Sequence, residues 1–363
     1  MNTYLFLEIQ VPTWQKISNF AAKQNNITPA MHTKFTLLAL TIMPWAAASA
    51  QEYSSAFNTL RLPASAHVAA LGGQNVSLIE SSPTVGWTNP ALYANADDKC
   101  VALNFMTYAV GSQWMGAHFT KAFGERHTLA VGAQYMNYGS MDETDESGTV
   151  TGTVNAKDFV VGAGYSYLLS DRWSGGANAK FFVSNLAGYS AMALSVDVGL
   201  NYYDEENDLS VSTSLQNVGT QVKAYDNGIH THLPFALSVG FSKGMAHLPV
   251  RIHVTMTDVT RWKSSYYVLP EDKDNPDQQK VSFGKKALNH FIVGVDILPT
   301  DYLYIAAGYN FRRAYELKAA GSSHFAGLSV GAGLNIKRFK LGVSYAQYHQ
   351  AGNSIMANVA YSL

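Results

Sequence analysis

The chain has 363 residues, a formal net charge of −1 and 14% charged residues, whereas a typical globular protein has about 25%. Aromatic residues make up 12% of the chain, which contains 21 Tyr and 29 Gly. The near-neutral charge excludes the basic surface that nucleic-acid binding requires. Few charges and a mean hydropathy close to zero favour a β-barrel, in which only alternate strand residues face lipid.

Residues 31–50 have the pattern of a secretory signal peptide. Lys34 precedes an apolar run, and the segment ends in Ala48-Ser49-Ala50. Cleavage is therefore predicted before Gln51. The apolar run is shorter than the roughly 20 residues that a membrane helix needs.

Residues 1–30 lie upstream of this complete signal, and we expect translation to start at Met31. The alternative is a genuine N-terminal extension. After the signal, the sequence divides into an N-terminal hatch segment over 51–99 and a strand-rich part over 100–363.

The strand-rich part alternates between apolar and polar residues in segments of about ten residues. Over 191–202, for example, Leu194, Val196 and Val198 share one face, and Asp197 lies on the other. The pattern gives fourteen candidate strands, near 101–110, 113–122, 127–137, 157–169, 172–184, 189–203, 208–218, 233–243, 248–259, 289–298, 301–311, 324–337, 339–349 and 353–363. We therefore predict an all-β fold, a 14-stranded antiparallel transmembrane barrel of the outer-membrane type with a small N-terminal hatch.

The predicted connections alternate in length along the chain. The links after the even-numbered strands are short, and long polar loops are expected at 138–156, 219–232, 260–288 and 312–323. Bacterial outer-membrane barrels place short turns in the periplasm and long loops outside the cell. With an even number of strands, both termini are then expected in the periplasm. A soluble β-sandwich would not need this asymmetry.

Tyrosines recur near the predicted strand ends, as expected for aromatic girdles at the two membrane interfaces. The predicted girdle residues are Tyr135, Tyr138, Tyr165, Tyr167, Tyr202, Tyr203, Tyr302, Tyr304, Tyr309, Tyr345, Tyr348 and Tyr361. A ligand-stacking role for a single Tyr is the less favoured alternative.

The hatch segment carries the most specific motifs. A run of small residues leads to Gly72-Gly73, a pair suited to end a helix, and Asn89-Pro90-Ala91 follows. In this order, residues 66–92 resemble the N-terminal hatch of the long-chain fatty-acid transporter superfamily, whose members have fourteen-stranded barrels. The hatch-motif residues are therefore Gly72, Gly73, Asn89, Pro90 and Ala91.

Further segments resemble one branch of that superfamily, the PorQ family of the type IX secretion system in Bacteroidota. They are LPASAHVAALGGQNVSL in the hatch, NVGTQVKAY at 217–225, GFSK at 240–243, HLPVRI at 247–252 and GYNFRRAYELK at 308–318. The resemblance covers about residues 53–363. It implies a non-enzymatic subunit of the attachment complex, which tethers PorZ and works with PorU and PorV in anchoring secreted cargo. The alternative is a channel for hydrophobic solutes, like the fatty-acid transporters.

The loop predicted at 260–288 is the candidate partner-binding loop, because it joins aromatic side chains to a polar run. Its anchor candidates are Trp262, Tyr266, Tyr267 and Leu269. A lid packed on the barrel mouth is the equally favoured alternative.

Basic residues in the loop predicted at 312–323 are candidates for contact with lipopolysaccharide or a partner protein. They are Arg312, Arg313 and Lys318, and guanidinium groups suit phosphate geometry. Ordinary solvated loop charges are the alternative. With the complex subunits, outer-membrane lipid and lipopolysaccharide complete the expected partners.

No catalytic set, metal site or cofactor is predicted. His230 and His232 alternate in a loop, but two ligands fall short of a zinc site. The acidic residues at 142–146 lack the spacing of a calcium loop, so a solvated loop is favoured. The lone Cys100 cannot form an intramolecular disulfide, and no role is assigned to it.

Overall fold

The computed structural model describes residues 57–145, 147–225, 230–262, 282–319, 326–349 and 352–363. Within these ranges, fourteen antiparallel strands close into a single barrel, which confirms the predicted fold class. The strands are β1 (Cys100–Thr107), β2 (Gln113–Phe123), β3 (His127–Thr144), β4 (Val150–Leu168), β5 (Trp173–Leu186), β6 (Tyr189–Asp204), β7 (Leu209–Lys223), β8 (Ala236–Gly244), β9 (Val250–Met256), β10 (Phe291–Thr300), β11 (Leu303–Asn310), β12 (Leu328–Ile336), β13 (Phe339–His349) and β14 (Gly352–Ser362).

The first and last strands close the ring. Cys100 of β1 pairs with Thr120 of β2 on one side and with Ser362 of β14 on the other. Closure leaves no sheet edge within the membrane, where unpaired backbone groups would be costly. We call the end that holds Cys100 and Ser362 the turn end, because the short connections lie there, and the opposite end the loop end.

The strand residues alternate between the two surfaces of the barrel as the sequence predicted. In β6, the side chains of Leu194, Val196 and Val198 are exposed on the outside, whereas Ser195 and Asp197 are buried inside. In β4, the outward apolar residues run from position 159 to 167, which spans roughly 20–25 Å across a tilted strand. This height matches the apolar band of a membrane barrel.

Two segments predicted as loops are structured. Residues 138–156 mostly extend β3 and β4 into a hairpin, because the segment is rich in Thr and contains Val, and these β-branched residues favour strands. At its tip, the Asp145 carboxylate accepts hydrogen bonds from the backbone N–H groups of Ser147 and Thr149, both at 2.9 Å. The second segment, 312–323, overlaps a helix over Phe311–Ala319.

The predicted strand at 248–259 is shorter in the structure. Pro249 cannot donate a ladder hydrogen bond, so β9 starts at Val250. At the other end, Asp258 has a φ of 52°, which is incompatible with an extended strand. The chain therefore leaves the strand before Asp258, whose carboxylate contacts Arg61 of the N-terminal segment.

Residues 57–99 lie inside the barrel, and most of their side chains are buried. We call this segment the hatch. It contains helix α1 (Ala66–Ala70) and three 3₁₀ helices, Asn58–Arg61, Val85–Trp87 and Pro90–Asn95. Ser65 caps α1 through the backbone N–H of Val68 at 3.2 Å. Gly72 and Gly73 follow with φ values of 101° and 92°, a conformation that favours glycine at the end of a helix.

Two more helices lie in the connections at the loop end, α2 (Phe283–Leu288) and α3 (Phe311–Ala319). In the described part of the chain, every helix is too short or too polar to span a membrane.

Four tyrosines predicted as girdle residues face the lumen instead. Tyr203 lies on the inward face of β6, opposite the buried Ser210. Tyr138 donates to Asp158 at 2.7 Å, Tyr304 stacks on the hatch residue His67, and Tyr348 lies against Arg313. Their positions near strand ends suggested a girdle, but the alternation of their strands points them inward.

Candidate functional site

The hatch packs against glycines of the barrel wall. At Gly176 in β5, a Cβ atom would lie 2.5 Å from the carbonyl carbon of Pro90 and 2.8 Å from the nitrogen of Ala91. At Gly308 in β11, it would lie 2.7 Å from the carbonyl oxygen of Ala70 and would also overlap the backbone of Gly72. These distances leave no room for a side chain, so the wall glycines let the two hatch motifs reach the strands.

Asn89 and Ala91 fix the second hatch motif. The Asn89 side chain donates to the Val76 carbonyl at 2.7 Å and accepts from the Ala91 N–H at 3.2 Å. The hydroxyls of Ser166 and Ser174 in the wall both donate to the Ala91 carbonyl, at 3.1 and 3.0 Å. The predicted Asn89-Pro90-Ala91 motif therefore contacts the wall through backbone groups whose hydrogen bonds are made.

A buried ion pair lies beside this motif. Lys180 of β5 contacts Asp197 of β6 at 2.6 Å and donates to the Trp87 carbonyl at 3.0 Å. Both charged side chains are almost completely buried. Asn178 donates to the same carboxylate at 3.3 Å and to the Gly86 carbonyl at 3.0 Å. The pair thus holds two wall strands and the hatch together.

The Asp197 carboxylate also shapes strand β7. It accepts a hydrogen bond from the backbone N–H of Asn217 at 2.7 Å, and Asn217 has a φ of 56°. The register between β6 and β7 shifts at this point, because Val196 pairs with Val218 while Val198 pairs with Leu215. The extra residue forms a β-bulge, which bends the strand and increases its twist.

Next to the bulge, the outer surface of the barrel is concave. Its lining is mainly apolar and encloses about 630 Å³, and we call it the wall groove. The main lining residues are Ala163, Ala179, Phe181, Leu194, Val196 and Val218. Small residues form its floor. At Gly219, a Cβ atom would overlap the Leu194 carbonyl oxygen and lie 2.7 Å from the Ser195 Cα, so β6 and β7 approach closely there.

Only one layer of wall separates the groove from the hatch. Gly162 and Lys180 both line the groove, and a Cβ atom at Gly162 would lie 2.9 Å from Cη2 of Trp87. The Lys180 ammonium lies 4.7 Å from the centre of the Trp87 ring. The groove, the buried ion pair and the hatch tryptophan therefore form one continuous site.

A second polar cluster joins the hatch to the opposite part of the wall. Asp296 contacts His67 of the hatch and His253 of β9, each at 3.0 Å. His253 also contacts Ser242 at 2.7 Å, and Ser242 contacts the hatch residue Ser77 at 2.7 Å. Although Ser242, His253 and Asp296 form a hydrolase-like series, all three are buried beneath the hatch. A substrate could not reach the serine in this arrangement.

At the loop end, Asp258 ties the hatch to α3. Arg61 of the hatch reaches both carboxylate oxygens, at 2.9 and 3.0 Å, and Arg312 donates at 2.8 Å. Burial raises the pKa of Asp258, but Arg61 and Arg312 together lower it more, so that the pKa lies below its usual value. These ion pairs therefore stabilise the folded state at neutral pH and are lost as the pH falls below about 4.

The basic residues predicted to contact lipopolysaccharide or a partner lie in α3. Arg312 also pairs with Glu316 at 2.7 Å, and Arg313 lies 4.1 Å from the centre of the Tyr348 ring. Both therefore make contacts within the chain. Lys318 lies in α3, and its side chain is outside the described residues. Their role in lipopolysaccharide or partner contact stays a prediction.

The predicted partner-binding residues are only partly described. Trp262 donates to the Val259 carbonyl at 2.6 Å and packs beside Phe283 and His290, with ring centres 5.8 and 4.3 Å away. Tyr266, Tyr267 and Leu269 lie outside the described residues. The role of these four residues in partner binding stays a prediction.

The described residues contain no group of three or more His, Cys, Asp or Glu that could hold a metal ion. Sequence reasoning missed the Lys180–Asp197 pair and the wall groove. One signal was present, because both charges occupy inward positions of otherwise alternating strands. A charge at such a position usually has a buried partner, but alternation alone does not identify that partner.

No protein-family model matches the chain, and no curated protein sequence matches it. Solved structures do match. The toluene transporter TodX of Pseudomonas putida has 13% identity and a TM-score of 0.52, with 83% of this chain and 98% of TodX covered. A FadL homologue of Pseudomonas aeruginosa has 10% identity and a TM-score of 0.50, with 82% and 98% covered.

The monoaromatic hydrocarbon channel CymD is a third match, with 12% identity, a TM-score of 0.50 and 84% and 98% of the two chains covered. At identities this low, the similarity concerns the fold. The chain, a closed antiparallel barrel of fourteen strands, therefore shares the fold of these three proteins.

Proposed function

We propose that the chain is a non-enzymatic outer-membrane protein that passes small apolar molecules through the wall groove. The observation that carries this proposal is the apolar groove beside the β6–β7 bulge. Its volume of about 630 Å³ lies within the usual range for small-molecule sites, about 300–1,000 Å³. A site on the outer surface of a membrane barrel can exchange apolar molecules directly with the lipid.

The neighbourhood of the groove supports this role. The contacts between Trp87 and Lys180 hold the hatch against the inner surface of the wall. The β6–β7 bulge and the close contacts at the wall glycines shape the part of the wall that separates the hatch from the groove. An opening of this wall would need only a local change in β6–β7 pairing, which the bulge already weakens. The similarity to a toluene transporter and a monoaromatic hydrocarbon channel favours the same class of solute. The barrel fold also favours the outer membrane as its location.

Filling the groove should block this function. In cells that lack the native copy, we expect Ala163→Phe to lower the uptake of radiolabelled toluene by about tenfold or more, because the new ring occupies the groove. The matched control is Ala307→Phe, which adds the same ring to an outward position of β11 away from the groove. Heat-modifiable electrophoretic mobility would show that both variants fold. Equal uptake by the two variants would rule out the groove as the route.

A second candidate function is the anchoring of a surface complex of the type IX secretion system, with PorZ, PorU and PorV as partners. Two observations favour it. The hatch occupies the lumen with many buried contacts, and the β3–β4 hairpin carries an exposed acidic tip at the loop end. If this function is correct, the tagged protein should co-purify with PorZ or PorU. Extraction with lipid alone would count against it.

A further inference from the structure

A row of polar side chains crosses the outer surface of the barrel near the loop end. Strand register aligns Gln113, Asn137, Lys157, Asn185 and Ser190 on five neighbouring strands, β2 to β6. Lys157 is exposed on the outward face of β4. We call this set the polar row.

Lys223 of β7 lies one residue pair nearer the turn end than the row, and its side chain reaches back to it. It pairs with Met192 in the register, and its ammonium donates to the Ser190 hydroxyl at 2.5 Å. Lys157 and Lys223 are therefore three strands apart, or about 14 Å at the usual strand spacing. Among the described residues, no carboxylate lies within ion-pair distance of either lysine.

The polar row marks a boundary of the apolar band. The next outward residues towards the turn end are Met115, Tyr135, Phe159, Val183 and Met192, which the register aligns on the same five strands. Such a change from polar to apolar within one residue pair places the row at the level of lipid headgroups. Ammonium groups at that level face the phosphates of the adjoining leaflet.

The wall groove lies directly below the row on the same strands. Val161 in the groove follows Lys157 by four residues in β4, which is about 13 Å along an extended strand. Leu194 in the groove follows Ser190 by the same interval in β6. A lipid acyl chain runs over this distance below its headgroup, so the row and the groove are within reach of one molecule.

We propose that β4–β7 form a binding site for a lipid with an anionic phosphate headgroup. Lys157 and Lys223 bind the phosphate, the amides of the row donate further hydrogen bonds, and one acyl chain occupies the wall groove. Charge complementarity selects an anionic lipid over a wholly apolar molecule, because the row offers two cations. The acidic tip of the β3–β4 hairpin does not neutralise them, since Asp142 pairs with Thr153, four residues beyond Lys157.

The lipid site uses the wall groove but does not require solute passage. A solute that leaves through the groove would displace the acyl chain, so lipid and solute are expected to compete. Lipid A retention that does not depend on Lys157 and Lys223, with toluene uptake that still depends on the groove, would refute only the lipid site. Retention that depends on both lysines, with normal toluene uptake by Ala163→Phe, would refute only the proposed passage.

The test measures lipid retention by the purified full-length barrel in detergent with native mass spectrometry. The probes are diphosphoryl lipid A and phosphatidylcholine, added separately. We expect the wild type to retain lipid A more strongly than phosphatidylcholine. Replacing Lys157 and Lys223 by Gln should lower lipid A retention by about fivefold each, and so by about 25-fold together. Lys121→Gln is the matched control, because Lys121 is an exposed lysine at the turn end of β2.

Two further measurements distinguish the contribution of the headgroup to binding from that of the acyl chain. Ala179→Phe fills the groove and should weaken retention of both lipids, while Ala307→Phe should not. Inorganic phosphate at the same concentration should not displace lipid A, because it has no acyl chain. Unchanged retention in the double lysine variant, or displacement by inorganic phosphate alone, would overturn the proposal. Heat-modifiable mobility shows that each variant is folded.

Discussion

Replacing Gly176 by Val is expected to release the Asn89-Pro90-Ala91 end of the hatch from the barrel wall. The new Cβ atom would lie 2.5 Å from the Pro90 carbonyl carbon and oxygen, and these backbone atoms cannot rotate away. The Ala91 carbonyl would then lose its hydrogen bonds from Ser166 and Ser174. Overpacking of this kind costs about 2–3 kcal/mol, and we expect faster proteolysis within residues 57–99 and a higher ion conductance.

The neighbouring Gly175 provides a matched control. A Cβ atom there would meet only the Leu169 side chain at 3.5 Å and the Gly199 carbonyl at 3.9 Å, which are ordinary contacts. Gly175→Val should therefore leave protease resistance and conductance close to wild type. If Gly176→Val behaved like this control, the close packing of hatch and wall would be wrong.

Replacing Asp197 by Ala is expected to destabilise the barrel strongly. The change leaves the buried Lys180 ammonium without its carboxylate and the Asn217 N–H without its acceptor. Breaking one partner of a buried ion pair costs about 3–5 kcal/mol. The measurement is the urea concentration at which the folded band disappears in heat-modifiable electrophoresis.

Removing both charges together should restore much of this loss. In the double variant Lys180→Met and Asp197→Asn, no buried charge remains, and the Asn oxygen can still accept from the Asn217 N–H. We expect its urea midpoint to lie well above that of Asp197→Ala. Asp171→Asn in an exposed turn is the control for loss of a carboxylate. A midpoint for Asp197→Ala equal to that of this control would show that the buried pair does not hold the wall and hatch together.

The barrel could be predicted from sequence because each strand has an apolar face towards lipid and a more polar face towards the lumen. Period-two alternation in β6 assigns Leu194 and Val196 to lipid and Asp197 to the lumen without any knowledge of neighbouring strands. The prediction of a loop at 138–156 was wrong for a related reason. Above the membrane both faces of the β3–β4 hairpin meet water, so its residues no longer alternate clearly between apolar and polar.

The hatch motifs were also visible locally. Gly72 and Gly73 end α1, and Asn89 caps a 3₁₀ helix, and both features depend on residues close in sequence. Their wall partners were not visible, because Gly176 and Gly308 meet the hatch only through the register of distant strands. A glycine within a strand indicates a close approach, but the sequence does not name the approaching atom.

The wall groove could not be predicted for the same physical reason. It depends on a one-residue shift between β6 and β7, which the Asp197 carboxylate fixes by binding the Asn217 N–H. Tertiary contacts determine the position of such a bulge, and the local pattern around position 217 does not predict it. The contacts that the inward tyrosines Tyr138, Tyr304 and Tyr348 make with the hatch and the wall likewise depend on residues distant in sequence.

The most direct test of the central claim is to locate an apolar solute in the barrel. Crystals of the protein would be soaked with 4-bromotoluene, and the bromine would be located by anomalous scattering. We expect a bromine peak in the wall groove, between Phe181, Leu194 and Val218, that disappears in the Ala163→Phe variant. A peak elsewhere on the barrel, with the groove empty, would contradict it.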